Sequence, residues 1–271
     1  MFKIINKNAV VIGGGRGIGA AISRALAKEG ALVHILETDR VLNPFNHYSK
    51  TEISGYNAAC NLVRSLNNRA IPYEVDACRE NELCEVLHAI TLEAGSIDIL
   101  VNAIGVTLVG QVVDTSTESF RALIDTNLIA PFVACREVAK LMIDKGHEGS
   151  IVNISSISGK MGFPGVASYC SSKFGLNGFT ISLAQELAKK NIQVNAVCPG
   201  IVKTNMWEYL YKEMILKNES EQDFWNRMAE MLPQKRFQSP ESIADFTLSV
   251  IRNDAITGQV LSIDGGWNRS G

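Results

Sequence analysis

The chain has 271 residues, of which 46% are apolar, and a formal net charge of −2 at pH 7, so it can bury a large core and reads as one continuous domain over 1–271. Its apolar runs are strand-sized, well short of the roughly 20 residues of a membrane span, and its balanced charge leaves no electrostatic footprint for nucleic acid or an anionic membrane. Six cysteines without a C-x-x-C pair suggest neither a metal site nor a disulfide framework, and residues 1–8 hold no apolar leader, so a cytoplasmic setting and a small-molecule partner are expected.

Seven short β-branched runs follow one another along the chain: Ala9–Ile12, Leu32–Leu36, Ala70–Val75, Ile99–Asn102, Ile151–Ser155, Gln193–Cys198 and Gln259–Ile263. Most are separated by helix-length segments, which is the pattern of parallel βαβ units. They are apolar on both faces rather than alternating, as strands covered by helices on both sides must be. The expected fold is therefore α/β, a doubly wound, seven-stranded parallel sheet of Rossmann type. Two segments break the rhythm. Residues 40–54 read as a long loop after the second strand. Asn205–Phe237 reads as an extra helical excursion, with Trp207, Leu210, Tyr211 and Met214 at helical spacing, then Phe224, Met228 and Met231. Such a stripe suits plain core, and its place directly after a strand end suits a substrate lid equally.

Directly after the first strand come Gly13, Gly14, Gly15, Arg16, Gly17, Ile18 and Gly19, and a helical pattern runs on to Lys28. Glycines let the backbone turn tightly and approach a pyrophosphate, and the helix N-terminus then offers N–H groups and positive dipole charge. The second strand ends on Leu36, and Glu37 follows, about 20 residues beyond Gly17, where an acidic side chain meets the adenosine ribose. Arg16 pulls the other way, since a base in the glycine loop suits a 2′-phosphate. NAD is the expected cofactor, with NADP second.

After the fifth strand stands Ser156, and then Tyr169 and Lys173 open a strong helix four residues apart, on one face. A tyrosine near its usual pKa of about 10 is a poor base at neutral pH. A neighbouring ammonium and the nicotinamide's positive charge are expected to favour the phenolate by roughly 2 to 3 units. Ser156 is placed to hydrogen-bond the reacting oxygen.

These motifs together closely resemble those of the short-chain dehydrogenase/reductase family, from about Asn8 to Trp267. The glycine signature is Gly13 to Gly19, and the central strand motif is Asn102-Ala103-Ile104-Gly105. Asn127 lies in Thr-Asn-Leu, Ser156 stands thirteen residues before Tyr169, and Lys173 completes a tetrad. Pro199-Gly200-Ile201-Val202-Lys203-Thr204 and Ile263-Asp264-Gly265-Gly266 match two further segments. The resemblance implies that Tyr169 exchanges the proton and that Lys173 lowers its pKa and holds the nicotinamide ribose. Ser156 would polarise the carbonyl, and Asn127 would anchor a water. It also implies that Asp76 and Ala77 flank the adenine, that Asn102 and Ala103 line the dinucleotide, and that Pro199, Gly200, Ile201 and Thr204 hold the nicotinamide. Ile12 and Ile104 depart from the family pattern, where a Thr hydroxyl ties the loop to the second motif, and an apolar contact between them is the expected replacement.

The segment from Cys198 to Trp207 resembles the acetoin/butanediol and polyol dehydrogenase branch. An NAD-dependent oxidoreductase acting on a secondary alcohol, diol or polyol is therefore expected. The alternatives are an NADP-dependent 3-oxoacyl thioester reductase and a catalytically silent dinucleotide-binding module. Trp207 and Tyr211 are expected to line the substrate pocket with Phe163 and Leu108 opposite. Helices over about 116–144 and 169–189 are expected to pair across a two-fold axis into a homotetramer.

Overall fold

A computed structural model describes residues 1–39 and 55–268, so the long loop expected over 40–54 lies outside the described residues. All seven expected runs are strands: β1 (Asn8–Ile12), β2 (Leu32–Glu37), β3 (Ala70–Glu74), β4 (Ile99–Asn102), β5 (Gly149–Ile154), β6 (Ile192–Pro199) and β7 (Val260–Ile263). They pair in parallel throughout, in the order β3-β2-β1-β4-β5-β6-β7. The order reverses between β1 and β4, and the crevice at that switch point is where doubly wound sheets bind their ligands.

The helices are α1 (Gly17–Lys28), α2 (Gly55–Arg64), α3 (Glu80–Ala94), α4 (Thr117–Ile124), α5 (Ala130–Lys145), α6 (Ala167–Leu187), α7 (Asn205–Met214), α8 (Glu221–Glu230) and α9 (Pro240–Arg252). The two-residue period of the strands sorts their side chains between two cores. Ala9 and Val11 of β1, Ile99 and Val101 of β4 and Val152 of β5 pack with Ile22, Leu26 and Leu248 under α1 and α9. Val10, Ile12, Leu100 and Ile151 face the other way, against Leu83 and Leu87 of α3 and Val138 and Met142 of α5. Ile104 packs against that second cluster, which also holds Ile12, in line with an apolar replacement for the family's hydrogen bond.

One expectation about the helices is corrected. The segment over about 116–144 is not one regular helix, because Asp125–Ile129 forms a π-helical stretch between α4 and α5. A wider turn of this kind is common at functional sites, and here it contains Asn127. No helix among the described residues is long and apolar enough to cross a membrane.

Candidate active site

A cavity of about 460 Å³ runs along the carboxyl ends of β1, β2, β4, β5 and β6. At one end is the glycine loop. Gly13 and Gly17 adopt positive φ (75° and 51°), and a Cβ on Gly19 would lie 2.0 Å from the Gly13 carbonyl oxygen, so no other residue fits there. Ser23 Oγ ties the loop to its helix by donating to the Gly14 and Gly19 carbonyls, each at 3.0 Å. No side chain caps α1 at Arg16, and Gly17, Ile18 and Gly19 line the cavity. A helix start of this kind offers N–H groups and dipole charge to an anion.

The acidic side chain at the end of β2 also reaches the cavity. Glu37 is buried, and its carboxylate accepts the Gly15 N–H at 3.1 Å. Burial raises its pKa, while the neighbouring Arg16 guanidinium and the backbone N–H bonds oppose that rise. The two residues that pull cofactor choice in opposite directions are therefore electrostatic partners of each other. Gly15 gives its N–H to Glu37 and is closed in by the Gly55 carbonyl, which a Cβ would meet at 2.8 Å. Asp39 and Asp76 add two more acidic side chains to this end of the cavity, with Ala77 beside them. Asp76 accepts the Cys78 N–H at 3.0 Å and pairs with Arg79 at 3.5 Å.

At the middle of the cavity, Ser156 at the end of β5 and Tyr169 and Lys173 on α6 meet. Tyr169 is hydrogen-bonded by Ser156, and Ser156 Oγ also accepts the Ser158 N–H at 3.1 Å. Lys173 is 2% exposed, donates to the Ile154 carbonyl at 3.0 Å and stands 5.8 Å from the centre of the Tyr169 ring. Asn127 lies behind it, fixed by Val106: its Oδ1 accepts that residue's N–H at 2.8 Å, and its Nδ2 donates to the carbonyl at 2.9 Å. Nδ2 also donates to Ser172 Oγ at 3.0 Å. Gly105 lies alongside, where a Cβ would make ordinary contact at 3.4 Å with Lys173 Nζ and 3.6 Å with Asn127 Oδ1.

The expected lowering of the tyrosine's pKa is not what these side chains deliver by themselves. Burial pushes Tyr169 up to about 12, against the opposing hydrogen bond from Ser156, and it pulls Lys173 down to about 8. Both shifts have one cause, the loss of water around a charge. Below pH 8 the lysine is charged, but its ammonium is aimed at the Ile154 carbonyl and lies 5.8 Å from the centre of the Tyr169 ring.

Several expected site residues sit elsewhere. Asn102 points into the sheet interior, where its Nδ2 donates to Asn153 Oδ1 at 2.8 Å and its own Oδ1 is buried without a partner. It shares the helix-covered face of β4 with Leu100 and contacts Cys135 of α5, whereas Ala103 lines the cavity. Ile201 is fully buried under α8 with Phe224 and Met228, and its carbonyl accepts the Gln238 N–H at 3.1 Å. Its neighbours Pro199, Gly200, Val202 and Thr204 face the cavity.

The helical excursion divides its stripe between two duties. Trp207, Leu210, Met214, Met228 and Met231 line the far end of the cavity with Phe163. Tyr211, expected beside them, turns away instead: its ring meets Phe224 edge-on at 5.0 Å and stacks on Trp225 at 6.3 Å. Thr107 rather than Leu108 faces Trp207's side of the cavity. Trp225 also approaches Trp207 at 6.1 Å and lies under the Lys203 ammonium at 4.4 Å. Trp267, which sequence reading did not assign to the site, lines the cavity and packs on Phe163 at 5.2 Å. Ser172 was also missed, although its position between Tyr169 and Lys173 was the available signal.

A family model described as short chain dehydrogenase matches residues 7–215. Over 97% of its length the chain is 36% identical to a 3-oxoacyl-acyl-carrier-protein reductase of Chlamydia muridarum, covering 98% of that protein. It is 33% identical, over 97% of its length and 98% of the relative's, to carbonyl reductase family member 4 of Xenopus tropicalis. The crystal structure of a short-chain type dehydrogenase/reductase from Mycobacterium marinum matches with a TM-score of 0.83 at 27% identity, covering 99% of this chain and 98% of that one. With its sheet order, glycine cradle and Ser-Tyr-Lys cluster, the chain belongs to the short-chain dehydrogenase family.

Proposed function

We propose that this oxidoreductase moves a hydride reversibly between NAD(H) and a secondary alcohol or ketone, with Tyr169 as the proton-exchanging group. The observation that carries the reading is that the glycine cradle and the hydrogen-bonded Ser156–Tyr169 pair share one cavity. The residues fit a dinucleotide: Gly13, Gly17 and Gly19 line the cavity with bare backbone, and the start of α1, where Arg16 makes no side-chain cap, faces the space. Gly13 to Gly19 would hold the pyrophosphate, Glu37, Asp76 and Ala77 the adenosine, and Lys173, Pro199, Gly200 and Thr204 the nicotinamide riboside. When bound, the group supplies or accepts the hydride and, oxidised, brings a positive charge into the cavity.

The chain's own residues handle the proton. With its pKa raised, Tyr169 holds its proton firmly at neutral pH and is ready to give it to an alkoxide forming on a reduced ketone. Ser156 fixes the oxygen's position, while Asn127 holds the backbone at Val106 and the Ser172 hydroxyl in place beside Lys173. Residues 205–237 act as the lid over the reacting carbon.

NAD(H) is favoured over NADP(H) because, among the described lining residues, Glu37, Asp39 and Asp76 face the adenosine end together with Arg16, which neighbours Glu37. The names of the relatives support a second reading of the substrate, a 3-oxoacyl thioester, for which the expected cofactor is NADP. They also weaken the polyol expectation, since they are named 3-oxoacyl and carbonyl reductases. The deciding measurement is oxidation of NADH and of NADPH, followed optically, with ketones and 3-oxoacyl thioesters. Higher kcat/KM with NADPH would overturn the cofactor assignment, and no turnover with any carbonyl would overturn the reaction.

A further inference from the structure

The residues that line the cavity divide sharply by charge. The ionisable carboxylates and guanidinium are Arg16, Glu37, Asp39 and Asp76, all on β1, β2 and β3 or the turns after them, and Lys173 lies beneath the Tyr169 ring. From the ends of β5 and β6, α7, α8 and the C-terminal segment, no described lining residue carries a charged group beyond Lys173. Their contribution is instead Trp207, Leu210, Met214, Met228, Met231 and Trp267, with Asn205 at the start of α7 as the polar lining side chain of α7 and α8, and with Ser155, Ser156, Ser158 and Thr204 at the ends of β5 and β6.

We infer that the substrate is a ketone or secondary alcohol whose body beyond the reacting carbon is uncharged and apolar, and that the wall formed by α7 and α8 reads the length of that body. This rests on the hydride-transfer reading above. A carboxylate, phosphate or row of hydroxyls placed against this wall would lose its water and find no partner, a cost that buried polar groups meet only by hydrogen bonding. An alkyl or aryl body loses water favourably, and unbranched methionine side chains adapt to its shape. Ser156 and Tyr169 supply the polar point for the carbonyl oxygen, and beyond Asn205 the wall of α7 and α8 offers apolar side chains. The same chemistry comes from two sources, a free ketone or the acyl chain of a 3-oxoacyl thioester.

The test is kcat/KM, with the cofactor that serves better, for a series of 2-alkanones and for a series of 3-oxoacyl N-acetylcysteamine thioesters of rising chain length. Each buried methylene is worth about fourfold, from roughly 0.8 kcal/mol, so several-fold increases per methylene are expected in at least one series. A rise with free ketones alone identifies the free source. A rise with thioesters alone identifies the carried source. Both support the apolar wall. A 2-oxoacid of equal length, butane-2,3-diol and sorbitol should fall at least a hundredfold below the best alkanone or thioester. Met231→Gln, at a half-exposed position, should flatten the length dependence while leaving the KM for the dinucleotide unchanged. Turnover of the diol or polyol equal to that of the apolar series, or a flat length dependence in both series, would overturn the inference while leaving the hydride-transfer reading intact. No turnover with any carbonyl or alcohol would sink both.

Discussion

Lys173 shows how strongly a single residue can set function against stability. An exposed ammonium titrates near 10.5, and burial brings this one to about 8. Between those values the unfolded chain binds more protons than the folded one, so stability contributed by this site rises with pH across about 8 to 10. Below pH 8 the folded state carries the full cost of a dehydrated charge, on the order of 3 kcal/mol. Lys173→Met should therefore raise Tm at pH 7 by several degrees while abolishing turnover, and a calorimetric scan at pH 7 against one at pH 9.5 checks both sign and window. A lower Tm at pH 7 would mean that the bond to the Ile154 carbonyl outweighs the burial. Tyr169→Phe should lower kcat at least about a hundredfold and leave dinucleotide affinity unchanged, because the ring's packing survives while the transferable proton does not. With the tyrosine pushed up to about 12, alcohol oxidation should quicken with rising pH. Ketone reduction should hold its rate from neutrality up towards that value, which a pair of pH–rate profiles would show. At Glu37, a 2′-phosphate about 4 Å away would cost roughly 4 kcal/mol at an effective dielectric near 20, and the Arg16 beside it offsets part of that. Glu37→Ala should narrow the NAD(H) over NADP(H) preference by at least tenfold in kcat/KM, and an unchanged ratio would place the ribose elsewhere.

At the scale of elements, the sequence was most legible where period and punctuation agree. The strands, the glycine turn and the Tyr-x-x-x-Lys face of α6 depend on local pattern, and each lies where expected. The π stretch at Asp125–Ile129 could not be read, because one extra residue in a turn leaves no mark in composition. Yet it is this stretch that contains Asn127. The choice between Trp207 and Tyr211 was equally hidden. Both fit the apolar stripe of α7, and which one faces the cavity depends on how α7 docks against Phe224 and Trp225 of α8. Asn102 was misplaced for a related reason: a sequence motif names the residue but not the parity of its strand, which turns it towards Asn153. Because Trp207 lines the cavity and Tyr211 does not, Trp207→Ala should raise the substrate KM several-fold with cofactor KM unchanged. Tyr211→Ala should act mainly on thermal stability through the ring cluster. Equal effects of the two on KM would contradict that division.

At the scale of the whole molecule, the apolar groups left on the surface point to assembly. Ile129 and Phe132, with Phe174 and Ile181 on α6, are each between 39% and 48% exposed, and Phe132 packs on Phe179 across the two helices at 5.6 Å. A soluble monomer rarely leaves such a set uncovered. Two-fold pairing of α5 and α6 into a homotetramer is the expected outcome, and light scattering at micromolar concentration checks it. Phe174→Glu should shift the distribution towards smaller species, and a monomer for the unmodified chain would contradict the expectation.

The placement of the aromatic rings has a further, optical consequence. The chain contains three tryptophans. Trp207 and Trp267 border the cavity, and Trp225 sits 6.1 Å from Trp207. Every indole in the protein is therefore gathered at one end of one crevice, and the far side of the sheet is dark. Intrinsic emission should report events in that crevice with almost no background from the remaining fold. Reduced nicotinamide absorbs where indole emits, so titration with the reduced cofactor should quench emission by energy transfer, and a ligand against the α7 wall should shift the emission wavelength without a label. The same signal separates the two halves of the cavity, because AMP, which carries the adenosine end alone, should leave the emission wavelength unchanged.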